Sequence, residues 1–132
     1  MTRRRALVDT SAWIETLRRN GDPEVRASVR AATQEGRAVL CDLVLLELWN
    51  GAQGADEHSV LREIELTIEK VPTPPAIWEV ACDLARMCRK AGITAPATHV
   101  LIAACAEYYK LEILHRDAHF DQIARVRGQG IH

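Results

Sequence analysis

Short apolar runs of strand length alternate along this chain with longer stretches of helical periodicity, and that alternation constrains the fold more than any other feature. Arg5-Ala6-Leu7-Val8 ends at the polar turn Asp9-Thr10-Ser11, Ala38–Cys41 is a second apolar run, and Leu111–Leu114 is a third. Strands that are separated by helices cannot pair as hairpins; they pair parallel, with helices laid over the faces of an open sheet. The 132 residues, 48% of them hydrophobic, suffice for one buried core and are too few for two. The expectation is a single α/β domain over residues 1–132.

The helical segments carry their own signals. Trp13, Ile14 and Leu17 share a face behind a cap supplied by Ser11 or a neighbour, and Asp22-Pro23 is an N-cap followed by proline, opening a helix with Val25, Val29 and Ala32 on one side. Leu43 to Trp49 predicts a helix with Asp42 as its cap. Ser59 to Lys70 predicts another, with Leu61, Ile64 and Ile68 inward and Glu63, Glu65 and Glu69 solvated. Pro75 to Lys90 is expected to bury Trp78, Cys82 and Ala85. Thr98 can cap a helix whose stripe is Leu101, Ala104, Cys105 and Tyr108, and Phe120 to Ile123 is a short last helix. The tail from Arg127 to His132 fits either an edge strand or a frayed end.

Composition narrows the function classes. With 17 basic and 18 acidic residues the chain is no polycation, yet residues 40–70 hold seven acidic against two basic groups, between flanks that are mildly basic. Aromatic residues make up 5%, too few for a base-stacking platform. Arg3, Arg4, Arg5, Arg18 and Arg19 could steer an RNA backbone, or could be a solvated run. Cys41, Cys82, Cys88 and Cys105 lack C-x-x-C spacing and read as buried small side chains in a reducing, cytoplasmic setting. No apolar run reaches the length of about 18 residues that a membrane span requires.

Ligands of open parallel sheets gather beyond the carboxyl ends of the strands. Asp9 ends the first strand and Asp117 follows the late one, so both are expected on that edge. Glu47 sits in a very apolar helix, where an unpartnered carboxylate costs several kcal/mol. Carboxylates converging on one edge repel unless a cation neutralises them, and magnesium or manganese would do so.

Four segments in order then carry a resemblance: Val8-Asp9-Thr10-Ser11, Glu47-Leu48-Trp49-Asn50-Gly51, Pro96-Ala97-Thr98-His99-Val100-Leu101-Ile102-Ala103-Ala104, and Arg116-Asp117-Ala118-His119-Phe120. Together they resemble PIN-domain ribonucleases, most closely the VapC-type toxins of bacterial toxin–antitoxin pairs. The resemblance implies a PIN-like open three-layer fold with a mainly parallel five-stranded sheet flanked by helices. It implies a Mg2+-dependent (Mn2+ possible) endoribonuclease acting through a metal-activated water. It also implies an RNA substrate, a VapB-type antitoxin that blocks the site, and a homodimer with no membrane partner.

By the same resemblance Asp9, Glu47 and Asp117 fall on three of the family's four acidic positions, and Thr10 and Ser11 on supporting hydroxyl positions. His99 stands where the family has its remaining aspartate, and counts with the other three as a metal and catalytic position. Neutral imidazole in place of carboxylate removes one negative charge and shifts ligand preference away from magnesium toward manganese, zinc or iron. That departure sets a second reading beside the first: a catalytically weakened or inactive PIN-like module that still binds its antitoxin. Asp121 is read as a solvated helix residue, and His119 as a loop residue able to meet phosphate.

Overall fold

The computed structural model describes residues 4–131, so Arg3 and His132 lie outside the described residues. The elements follow in the order β1 (Ala6–Val8), α1 (Thr10–Leu17), α2 (Pro23–Gln34), β2 (Ala38–Cys41), α3 (Asp42–Gly51), α4 (Gly54–Thr67), β3 (Glu69–Val71), α5 (Pro75–Lys90), α6 (Ala97–Tyr109), β4 (Glu112–Leu114) and α7 (Ala118–Ile131). They fall into two compact units. One takes in the residues up to Pro72 together with Leu111–Arg116; the other takes in Thr73–Lys110 together with the residues from Asp117 on.

The first unit holds a parallel sheet in the order β3-β2-β1-β4. Leu7 pairs with Val39 on one side and with Ile113 on the other, and Leu40 pairs with Lys70. The sheet is parallel as expected, but among the described residues it has four strands where the resemblance implies five. Ala6, Leu7, Val8, Val39 and Leu40 are wholly buried, the signature of central strands covered on both faces. Burying a side chain such as Leu7 or Leu40 contributes roughly 1.5–3 kcal/mol. Helix α2 starts where the sequence places it, with the Asp22 carboxylate accepting from the amides of Glu24 and Val25. Its buried Val29 and Ala32 face the sheet, where α2 packs on β2 and β4.

Three boundaries differ from the sequence reading. Helix α4 begins at Gly54 rather than Ser59 and ends at Thr67, and Glu69–Val71 forms the edge strand β3 instead of a last helical turn. An edge strand tolerates charged side chains, so Glu69 and Lys70 give it no apolar signature. The cap of α3 is Cys41, not Asp42, which pairs instead with Lys70 at 3.0 Å.

The second unit packs α5, α6 and α7 against one another. Helix α5 spans the expected residues but presents a face rotated by one position: Ile77, Ala81, Leu84 and Cys88 are buried, whereas Trp78 is 53% exposed and Cys82 and Ala85 are exposed. Both stripes have helical spacing; the aliphatic set packs and the Trp78 set does not. Helix α6 buries Val100, Ile102 and the run Ala103–Ala106, leaves Tyr108 exposed, and has no side-chain cap from Thr98. Helix α7 continues to Ile131, so from Arg127 to that residue the tail is helical where an edge strand or a frayed end was expected.

Candidate active site

In the first unit the carboxyl end of β1 runs directly into α1, and Asp9 stands at the junction, 3% exposed. Its Oδ2 accepts from the Ser11 amide at 2.9 Å and from the Ser11 hydroxyl at 2.6 Å, so Asp9 is the N-cap of α1 and Ser11 its brace. Ser11 Oγ in turn accepts the backbone N–H of Arg116 at 2.9 Å, and the Arg116 guanidinium donates to Asp22 at 2.5 Å. The segment after β4 is thereby pinned to the segment after β1. Among the described residues the side-chain and amide donors that reach the Asp9 carboxylate come from Ser11 and are neutral, and a buried carboxylate in such surroundings is stabilised by a cation.

Glu47 lies half-buried in α3 and accepts from the Thr10 hydroxyl at 2.6 Å. Thr10 and Ser11 thus each donate to a different carboxylate. A groove of about 420 Å³ opens beside Thr10 and Glu47, with Ile14, Leu17, Leu48 and Val60 in its walls. Ile14 and Leu17 are therefore not core residues of α1; only Trp13 of that trio is buried. Trp49 donates to Glu65 at 3.0 Å.

In the second unit three side chains meet where α6 and α7 begin. His99 Nε2 lies 2.6 Å from Asp117 Oδ2, and His119 Nδ1 lies 2.8 Å from Asp117 Oδ1. The His119 amide also donates to Asp117 Oδ1 at 2.9 Å. Burial alone pushes the Asp117 carboxyl upward, but hydrogen bonds from the His119 amide and the two imidazoles, with the charge of His99, outweigh it and hold the group below the ordinary carboxylate range. One ligand atom from each of His99, Asp117 and His119 lies within 4.8 Å of the others, a donor set compatible with a divalent cation. The sequence reading brought out Asp117 and His99 but left His119 to a loop. Its only sequence signal is its position two residues after Asp117 at a helix start. Asp121 is exposed on α7, as expected.

The arginine cluster is partly spent on local pairing: Arg5 with Glu69 at 2.6 Å and Arg18 with Glu15 at 2.8 Å. All four cysteines are thiols, and Cys82 is exposed where burial was expected.

The PIN domain model matches residues 6–126, which takes in the whole of the parallel sheet and both Asp9 and Asp117. The chain belongs to the PIN-domain family. Its similarity extends to ribonuclease VapC11 of Mycobacterium tuberculosis, 33% identical over 123 residues, covering 91% of this chain and 92% of that protein. Ribonuclease VapC18 of the same organism is 29% identical over 126 residues, covering 92% and 89%. Among solved structures, DNA-bound VapBC from Salmonella typhimurium matches with a TM-score of 0.76 at 17% identity over 92% of this chain and 93% of that one. FitAcB from Neisseria gonorrhoeae matches with a TM-score of 0.74 at 22% identity over 90% and 93%.

Proposed function

We propose that this protein is an endoribonuclease toxin of a VapBC-type pair, using a divalent cation, magnesium or manganese, to cleave RNA phosphodiesters. The observation that carries this reading is the 33% identity to a VapC ribonuclease across nine-tenths of both chains. The named relatives are ribonucleases, and no observation favours the non-catalytic module.

Asp9, Glu47, Asp117 and His99 are proposed to hold the ion, as the family resemblance implies. A bound divalent cation lowers the pKa of water and offsets charge that builds on the phosphodiester oxygens. The remaining work belongs to this chain's own groups. Ser11, fixed by the Arg116 amide, keeps the Asp9 carboxylate in one rotamer, and Thr10 does the same for Glu47. His99 and His119 keep Asp117 ionised and therefore ready to bind. Substituting imidazole for carboxylate at position 99 weakens a magnesium site more than a manganese site, so cleavage is expected to be stronger with manganese.

The partner proposed is a VapB-type antitoxin. Support comes from the apolar groove beside Glu47, where exposed Ile14, Leu17 and Val60 offer a docking face next to a carboxylate. A segment combining apolar and basic side chains has the complementary chemistry. Among the described residues no helix is long and apolar enough to cross a membrane, and a cytoplasmic homodimer is the proposed working form. Incubating purified protein with structured RNA in manganese, in magnesium and in chelator tests the activity. Loss of RNA in manganese that is absent in chelator and absent for Asp9→Asn supports it; cleavage that persists in both blanks rejects it.

A further inference from the structure

We infer that His99, Asp117 and His119 form a binding site for a zinc-class transition ion, with His119 as a direct ligand, that discriminates against magnesium. The inference rests on the reading that a divalent cation serves Asp117. It goes further in naming the ligand set and the class of ion that set selects.

The three groups belong to one unit, at the starts of α6 and α7, and need no residue from elsewhere to converge. The Asp117 carboxylate lies between the two rings, one oxygen to each: Oδ2 at 2.6 Å from His99 Nε2 and Oδ1 at 2.8 Å from His119 Nδ1. In this structure both nitrogens donate to the carboxylate, so a cation taken up here would displace those two protons and bind through the same nitrogens. Two imidazoles and one carboxylate are the donors of zinc, cobalt, nickel and ferrous sites. Magnesium instead demands oxygen ligands in near-octahedral array and gives up its waters reluctantly, and here two of three donors are nitrogen. Among transition ions the affinity should rise from manganese through cobalt and nickel, with zinc on the strong side of manganese.

Packing also holds the set in place. The His99 ring lies 5.0 Å from the Phe120 ring and 5.1 Å from that of His119, centroid to centroid. Its Nδ1 is buried with no hydrogen-bond partner among the described residues. Most ligating histidines brace that second nitrogen on a carboxylate or carbonyl, so this site should bind about 10–100-fold more weakly than a braced one.

The test titrates cobalt(II) into the untagged full-length protein and reads the visible ligand-field absorption, with zinc and then a large excess of magnesium as competitors. The unchanged protein should take up one equivalent of cobalt, release it to zinc and keep it against magnesium. His119→Ala should weaken cobalt binding at least tenfold, no less than the loss of a bracing partner costs. His119→Gln is the second variant, and circular dichroism shows that each is folded. Glu63→Gln, at an exposed carboxylate of α4, should leave cobalt binding unchanged. Cobalt affinity equal to the parent's in both His119 variants, displacement by magnesium, or loss of cobalt in Glu63→Gln overturns the assignment. RNA cleavage measured on the same samples separates the two readings: cleavage without the cobalt signature strikes only the ion site, and the signature without cleavage strikes only the ribonuclease.

Discussion

Thr10 Oγ1 donates to Glu47 Oε1 at 2.6 Å across 37 positions of sequence, tying the first turn of α1 to the middle of α3. Because both residues are half-buried, the bond contributes about 1 kcal/mol rather than the larger value of a sealed charged pair. Thr10→Val keeps the shape and removes the donor. It should lower the urea midpoint by a corresponding amount and slow RNA cleavage through a misoriented Glu47. Thr10→Ser should restore both, and a Val variant indistinguishable from the parent would show that the contact does not form in solution.

Asp9 has two roles that one substitution separates. As the N-cap of α1 it can be replaced by asparagine, which caps about equally well. As a carboxylate for a cation it cannot. Asp9→Asn should cost at most about 1 kcal/mol in urea unfolding, while manganese-dependent RNA cleavage disappears. Asp9→Ala should lose both cap and cleavage. An Asn variant that still cuts RNA removes Asp9 from the proposed machinery.

How far these features were legible in sequence depended on how local their signals are. The strand Ala38–Cys41 and the Asp22-Pro23 helix start could be read directly, because each is fixed by its own residues. The face of α5 could not: Ile77-Ala81-Leu84-Cys88 and Trp78-Cys82-Ala85 differ by one step of the same period, and only packing against α6 and α7 decides between them. Strand β3 was hidden because an edge strand of Glu69, Lys70 and Val71 has no apolar run and continues the charge pattern of α4. At the candidate site the motifs brought out Asp9, Glu47, His99 and Asp117. His119 emerged only once the start of α7 set its ring against Asp117.

Two glycines should respond oppositely to alanine. A Cβ on Gly21 would lie 1.7 Å from the Glu15 carbonyl oxygen, a backbone atom that cannot turn aside. Gly21→Ala should therefore lower stability by 1–3 kcal/mol or more, in the manner of an overpacked core (~1–3 kcal/mol). Gly51, the last residue of α3, has open space at its Cβ position and no left-handed backbone. There alanine should raise stability by about 0.4–1 kcal/mol by narrowing the unfolded ensemble. Parallel urea titrations of the two variants give the sign of each.

Cys82 and Cys88 lie on one helix in opposite environments. Cys88 is 2% exposed, and burial pushes its thiol above the ordinary value, with Arg127 pulling back only in part. A raised thiol pKa means that the folded state keeps a proton which the unfolded chain loses first. The associated stability is complete below the unfolded thiol pKa, near 9, and declines as pH rises through the folded value. At neutral pH iodoacetamide should label exposed Cys82 readily and Cys88 only in denaturant. Mass spectrometry of the native protein showing equal labelling would contradict the packing of α5.

His99→Asp reverses the chain's departure from the acidic pattern and gives a metal-dependent stability that needs no RNA. In the unchanged protein His99 Nε2 lies 2.6 Å from Asp117 Oδ2, an attractive contact. An aspartate there sets two carboxylates against each other, so without added metal the variant should melt below the parent. Magnesium now finds oxygen donors in place of nitrogen and should restore the loss, because a ligand at a hundred times its Kd stabilises the fold by about 2.7 kcal/mol. The parent should respond little to magnesium and more to cobalt or zinc. Thermal melts in chelator, magnesium and zinc compare the two proteins directly. If magnesium raises the parent's melting temperature as much as the variant's, His99 does not set the choice of ion.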